Sequence, residues 1–408
     1  MVNRVVITGM GIYSCIGKDK EEVKQSLYAG KSGIGLDSRR KEFGYRSALT
    51  GILKRPNLKG LLDRRQRLGL PEQGEYAYVA TVEALRQAGI DEDYLLKHEV
   101  GILYGNDSST EPVIHAVDVI REKRNTALVG SGSIFQSMNS TITMNLSVIF
   151  KLRGINFTVS GACASGSHAI GMGYFLIRHG MQDCIVCGGA QEVNMYSVGS
   201  FDGLSAFSVR EDEPAKASRP FDKNRDGLVP SGGGATVILE SYESAKRRGA
   251  TILAEVAGYG FSSNGDHISV PNVDGPKRSL EMALKDANAD IRSIPYINAH
   301  ATSTPVGDLN EAKAISAVFG EAKPWVASTK SMTGHEMWMA GASEIVYSVL
   351  MMQNDFIAPN LNFEEPDEAS AKLRIPTETT DMKFDAFLSN SFGFGGTNSS
   401  LIVKAFKP

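Results

Sequence analysis

Apolar and polar positions along the chain alternate between two periods. Short runs of β-branched and aliphatic residues at 4–8, 100–104, 156–159 and 184–187 have the length and composition of buried strands. Between them lie stretches with apolar residues three and four apart, EEVKQSLYAG (21–30), EYAYVATVEALRQAG (75–89) and the segment after residue 163, and this spacing predicts helices. After ESYESAKRRGA (240–250) the pattern restarts, with ILAEVAGYG (252–260) as a strand and GPKRSLEMALKDANA (275–289) as a helix. The alternation predicts an α/β class. The restart puts a boundary between two halves near residue 250, giving segments 1–250 and 251–408. No low-complexity segment and no Pro- or Ser-rich linker interrupts them.

Composition fits this organisation. A chain of 408 residues, 42% hydrophobic and 22% charged, is long enough to bury a large core in two domain-sized units. Its net charge of −3 gives no global reason to expect nucleic acid or a membrane as partner. No apolar run reaches the roughly 18 residues of a spanning helix. The first residues lead straight into the strand-like VVITGM, so a cytoplasmic protein is expected.

The chemistry centres on Cys163, in TVSGACASGSHAIGMGYFLIRHG (158–180). The thiol follows a strand-like run and opens a helix of small side chains. There the positive end of the helix dipole and unpaired backbone N–H groups favour thiolate over thiol. Gly161, Ala162, Ala164, Ser165 and Gly166 leave room for a sharp turn and a bulky acyl substrate. The alternative is a buried structural cysteine. Cys15, Cys184 and Cys187 suggest neither a disulfide framework nor a metal site. The C-x-x-C of 184–187 lies in an apolar run with no second pair after it, and reads as strand rather than zinc or redox centre. The run SGGGA (231–235) lacks the Lys-Ser or Lys-Thr of a phosphate loop and leads into TVILE, so it reads as close backbone packing.

Two further segments carry a histidine in a loop after a strand-like run: His300 in YINAHATSTPVGDLNE (296–311), and His335, with Lys330 before it, in WVASTKSMTGHEMWMAGASE (325–344). A helix-start cysteine with two loop histidines and a lysine suits acyl transfer through a thioester.

These residues sit in stretches that resemble the β-ketoacyl-acyl-carrier-protein synthases of type I/II, the elongating condensing enzymes. The matching stretches are VVITGMGIYSCIG (5–17), SGACASGS (160–167), ASRPFDKNRDGLV (217–229), STPVGD (303–308) and SNSFGFGGTN (389–398), in the same order and spacing over essentially the whole chain. The resemblance implies a thiolase-like duplicated fold, five-layered α-β-α-β-α, usually a homodimer. It implies Cys163 as nucleophile, and His300 and His335 as donors to the enolate formed when malonyl-carrier protein loses carbon dioxide. Lys330 supports anionic intermediates, with Glu311, Glu344 and Asp308 as supporting carboxylates. The backbone N–H groups of Cys163 and Phe394 form an oxyanion hole, Phe394 gates a mobile glycine-rich loop, and Thr302, Thr304 and Phe392 bind substrate. No cofactor of its own is implied, because the 4′-phosphopantetheine belongs to the carrier protein.

Alternatives stay open for several of these residues. Glutamates in helical patterns are usually solvated or surface-paired, and loop threonines often bond their own backbone. Asn298, Glu344, Ser389 and Asn390 are also where the resemblance suggests a structural cation, but no metal is expected from the sequence. Arg64, Arg65 and Arg67, with Arg121, Lys123 and Arg124, form either a docking patch for an acidic carrier protein or a solvated charged face.

Departures from the family pattern bear on the substrate. Ala301 stands where glycine is usual and is expected to keep a negative φ. Trp338 and Met339 stand where small residues are usual, and GNDSS (105–109) replaces a more glycine-rich segment. They allow a pocket for a polar, aromatic or unsaturated chain, so a ketosynthase of a specialised polyketide or polyene pathway is the alternative to fatty-acid elongation. Cys163 argues against a non-catalytic chain-length partner, and the histidine of TGHE against an initiating enzyme or a thiolase.

Overall fold

The structure is a computed structural model that describes residues 2–408. Ten strands form its main sheet: β1 (Val5–Ser14), β2 (Val100–Gly105), β3 (Asn156–Val159), β4 (Cys184–Gln191), β5 (Gly233–Ser241), β6 (Ala254–Ser263), β7 (Tyr296–Asn298), β8 (Trp325–Ala327), β9 (Ala386–Gly393) and β10 (Thr397–Lys404). They hydrogen-bond in the order β8-β7-β9-β10-β6-β1-β5-β4-β2-β3. This is one pattern written twice. Outward from β1 it runs β1-β5-β4-β2-β3, and outward from β6 it runs β6-β10-β9-β7-β8. In each half two antiparallel pairings are followed by two parallel ones. Within the sheet the halves join where Val5, Val6 and Ile7 pair with Val256, Glu255 and Ala254.

Six helices complete the layers: α1 (Glu72–Ala88), α2 (Thr141–Phe150), α3 (Ser165–Arg178), α4 (Asp274–Asp286), α5 (Pro305–Phe319) and α6 (Ala340–Gln353). α3 and α6 pack on each other and on both halves of the sheet, α1 and α2 cover the outer face of the first half, and α4, backed by α5, covers that of the second. The result is the thiolase-like α-β-α-β-α fold. A helix between two sheets must be apolar on every side, and α6 is buried from Ala340 to Met352. α1 faces β1 with the alanine stripe Ala77, Ala80, Ala84 and Ala88 and ends at Gly89 in a left-handed conformation (φ 66°). Separate cores lie between the layers: Ile170, Tyr174, Ile345 and Val346 at the centre, Ala84, Leu85, Ile142 and Leu146 on one outer side, and Leu280, Ala283, Ala312 and Ile315 on the other.

β1 and β4 run past their expected ends, to Ser14 and Gln191, through glycines on which other parts pack closely: α1 on Gly9 and Gly11, Tyr104 on Gly188 and the Trp338–Met339 turn on Gly189. The helix expected over 275–289 stops at Asp286. Cys184 faces the outer core and Cys187 the central one, so the C-x-x-C points to opposite faces of β4 and builds no single site. All four cysteines are free. Within the duplicated pattern, the β3–α3 and β8–α6 connections are equivalent. Each follows the last strand of a parallel pair and leads into the central layer, and they carry Cys163 and His335 respectively.

Candidate active site

Cys163 sits in a tight elbow. After β3 the chain turns through Ala162 in the left-handed region (φ 46°), makes one 3₁₀ turn over Ala162–Ala164, and enters α3 at Ser165. A left-handed alanine costs about 1–2 kcal/mol, and local bonds hold it there. The Ala162 N–H donates to Asp107 Oδ2 (2.8 Å), the Gly161 N–H to Ser165 Oγ (2.9 Å), and Ser165 Oγ to the Ala162 carbonyl (2.6 Å). The backbone N–H groups of Cys163 and Phe394 lie beside the sulfur and favour its thiolate, as expected, but burial outweighs them. Cys163 is only 6% exposed, and burial pushes its thiol up to about 12 against the opposing pull of Lys330 and the two amides. In the resting site burial favours the thiol over the thiolate.

Both histidines are fixed through their backbones. The His300 and Ala301 N–H groups donate to the two carboxylate oxygens of Glu311 (2.9 and 2.7 Å), which also accepts from Asn390 (3.0 Å). Ala301 keeps out of the left-handed region, as expected. His335 bonds through its N–H to the Val229 carbonyl (2.7 Å), and its carbonyl accepts from Ser231 (2.8 Å). Ser231 opens the run SGGGA, whose last residues lie in β5. Nδ1 of His335 accepts the Met337 N–H at 3.3 Å, which leaves the ring proton on Nε2, and Nε2 has no partner. The rings of His300 and His335 lie 5.3 Å apart, edge to face. Burial lowers both imidazoles well below their usual value, and Lys330 adds to the effect. They are neutral donors.

Lys330 is buried and bonded to Glu344. Three buried glutamates surround this one ammonium. Burial raises Glu311 and Glu336 to about 7 and Glu344 to about 8, with Lys330 pulling each down. A single cation does not support three ionised carboxylates out of water, so the cluster retains protons near neutrality. Glu311 and Glu344 are therefore not solvated or surface-paired glutamates. Asp308 has a different task. It accepts the N–H groups of Phe221 (2.8 Å), Ser303 (3.2 Å) and Thr304 (3.2 Å), and so shapes the loop after His300. The hydroxyls of Thr302 and Thr304 bond each other at 3.1 Å.

One cavity of about 370 Å³ reaches Cys163, His300, His335, Thr302, Thr304 and Phe392. The Phe392 ring lies 5.8 Å from His300. Phe394, 39% exposed at the mouth, stacks on Phe201 (5.7 Å, 16°), and Gly395 behind it has φ 77°, which gives the loop its turn. Trp338 is 8% exposed and is not among the cavity-lining residues, so the indole does not plug the entrance. Met339 packs into the central core. Asn298 Oδ1 and Glu344 Oε2 are buried without partners, while Asn390 is engaged by Glu311 and Ser400. Among the described residues no group of three or more His, Cys, Asp or Glu is arranged to hold a metal.

Four contributors escaped the sequence. Glu336 accepts from Tyr347 Oη (2.8 Å) and Ser343, Asp107 holds the elbow, and Phe201 backs the gate. His168 bridges Tyr259 (2.6 Å) and Thr397 (2.8 Å). Only Glu336 left a signal, a lone charge in the otherwise apolar stretch after His335.

Family models for the beta-ketoacyl synthase N-terminal and C-terminal domains match residues 2–245 and 253–364. The chain is 42% identical over 408 residues to 3-oxoacyl-[acyl-carrier-protein] synthase 1 of Haemophilus influenzae, covering 99% of this chain and all of that protein. A beta-ketoacyl synthase crystal structure from Burkholderia phymatum superposes with a TM-score of 0.93 at 37% identity, over 99% of this chain and all of that one. A type II polyketide acyl-carrier protein in complex with its ketosynthase bound to the hexaketide gives 0.89 at 28% identity, over the full length of both chains.

Proposed function

The chain belongs to the beta-ketoacyl synthase family, acyltransferases that form a carbon–carbon bond, and on that premise we propose that it is a 3-oxoacyl-[acyl-carrier-protein] synthase of fatty-acid elongation working through Cys163. The observation that carries the reading is the convergence on one cavity of Cys163, Phe394 and two imidazoles 5.3 Å apart whose burial disfavours their charged form.

Cys163 attacks the thioester carbonyl of an acyl chain on the carrier protein. The carbonyl oxygen becomes an oxyanion met by the N–H groups of Cys163 and Phe394. The carrier thiol leaves with the proton that Cys163 gives up, and the chain stays on the enzyme. Malonyl-carrier protein then enters, and the electron pair of the bond to the departing carbon dioxide moves into an enolate. Nε2–H of His335 and the ring of His300 stabilise its oxygen. The enolate carbon attacks the Cys163 thioester, the sulfur leaves and regains a proton from water, and a 3-oxoacyl chain two carbons longer departs on the carrier. Lys330 favours the anionic states and fixes Glu344. Glu311 and Asp308 hold the loop that carries His300, Thr302 and Thr304. The two threonine hydroxyls face the cavity through which the phosphopantetheine arm enters, and Phe392 and Phe394 line its path.

The partner is an acyl carrier protein, and the enzyme needs no cofactor of its own. The docking patch comprises Arg64, Arg65 and Arg67 on the helix Arg64–Gly69, with Arg121, Lys123 and Arg124 at the end of the helix Thr110–Lys123. What supports it is their placement on two elements that both pack against the helix Ser133–Ser137. The proposed assembly is a homodimer, supported by the exposed Phe157 on edge strand β3 and by exposed Val113, Ile114, Val117 and Ile120 in the same half. The two halves divide near residue 250, and the cytoplasm is the proposed location. Identity of 42% to the Haemophilus enzyme against 28% to the polyketide one favours fatty-acid elongation over the specialised pathway.

Incubation with acyl-carrier protein, followed by peptide mapping, should find the acyl group on Cys163. Addition of malonyl-carrier protein should release that chain lengthened by two carbons. An acyl group on another residue, or none, would refute the reading.

A further inference from the structure

The entry cavity reaches Cys163, and Leu228 lines it beside the sulfur. Away from that cavity Cys163 belongs to an apolar cluster with Val198, Phe207, Met337 and Trp338, none of which line it. The indole there is anchored at several points. Its Nε1–H donates to Ser108 Oγ at 3.0 Å, and Ser108 Oγ donates to Glu192 Oε1 at 3.2 Å. Glu192 is buried and is itself held by the Thr110 N–H (2.8 Å) and by Asn194 (2.8 Å). The Trp338 backbone is pinned as well, because its carbonyl lies where a Cβ at Gly166 or Gly189 would stand, at 2.9 and 2.7 Å. The indole also packs at 6.4 Å from Phe201, the ring that backs Phe394. A chain attached to Cys163 has two directions open to it. One leads back into the cavity that the incoming malonyl-pantetheine arm must occupy, and the other leads into the volume filled by Trp338.

Resting on the proposed acylation of Cys163, we infer that Trp338, held by Ser108 and Glu192, is the residue that limits the enzyme to short acyl chains. The indole is a fixed end wall, and a longer chain fits only if the Ser108 bond breaks and the ring swings. The site therefore works early in chain growth, on acyl groups that a preceding condensation has only begun to lengthen.

The test is the rate of Cys163 acylation, followed by intact mass, with carrier protein charged with butanoyl, hexanoyl, dodecanoyl or hexadecanoyl groups. The wild-type protein is expected to load the short pair faster than the long pair. Trp338→Gly is expected to raise the long-to-short ratio by about tenfold or more, the discrimination that a few methylenes in an apolar pocket provide. Ser108→Ala removes the anchor and leaves the ring in place, so it is expected to raise the same ratio by a smaller factor and serves if the glycine variant fails to fold. Equal loading of long and short chains by the wild type, or a ratio unchanged in both variants, overturns the inference. Loading of no chain on Cys163 in any of the three proteins overturns the reading beneath it, and the length limit falls with it.

Discussion

At the scale of single residues, environment matters more than residue type. Cys163 at a helix start looks like a ready thiolate, yet burial holds it as a thiol with a pKa of about 12. The reaction therefore needs the thiol proton to leave as the carrier departs. The same burial keeps His300 and His335 neutral, which suits hydrogen-bond donors and not general acids. His300→Ala and His335→Ala should each lower malonyl-carrier decarboxylation by about a hundredfold or more, the order found when one donor to a developing oxyanion is lost. Acylation of Cys163 should fall much less in both. Carbon dioxide release and intact-mass loading, measured on the same samples, check the separation. Cys163, His300, Lys330 and His335 were legible because each lies in a short local motif. Asp107 and His168 were not, because their roles exist only through contacts with Ala162 and with Tyr259 and Thr397, far away in sequence.

At the scale of elements, the site depends on two connections entering the central layer from equivalent places in the two halves. The Cys163 connection is strained at Ala162, whose φ of 46° suits glycine better than alanine. Ala162→Gly should leave stability equal or raise it by less than about 1 kcal/mol, whereas Ala162→Val should lower it by about 2 kcal/mol, since a β-branched side chain tolerates this region least. Urea unfolding of the two variants measures the difference, and loss of Cys163 acylation in the valine variant would show that the elbow aims the sulfur. Strand and helix types were legible from periodicity, but several ends were not. β4 continues through Gly188 and Gly189 because Tyr104 and the Trp338–Met339 backbone just before α6 fill the space that side chains would otherwise occupy, a tertiary effect that no local propensity encodes.

At the scale of the whole molecule, the duplication assembles the site, since neither half holds both the thiol and the imidazoles. It also buries ionisable groups with opposing consequences for stability. His168, lowered to about 4, binds fewer protons folded than unfolded, so its contribution is full above about 6.5 and is lost as pH falls toward 4. Glu336, raised to about 7, binds more protons folded than unfolded, so its contribution is present below about 4.5 and is lost as pH rises through 7. Above pH 6.5 only the carboxyl effect remains, and stability should decline toward pH 8. Glu336→Gln should make that decline shallower, as read from urea midpoints between pH 6.5 and 8, and an unchanged slope would show that Glu336 does not hold its proton. The duplicated five-layer fold was legible only through family resemblance and the order of the strands not at all, because pairing between segments more than a hundred residues apart leaves no mark on local periodicity.

The account stands on Cys163 as the atom that carries the acyl chain. The most direct measurement is the rate of 3-oxoacyl-carrier-protein formation from acyl- and malonyl-carrier proteins by Cys163→Ala beside the wild type, with circular dichroism to confirm an intact fold. The prediction is no detectable condensation by the variant. Product formed at the wild-type rate would contradict it.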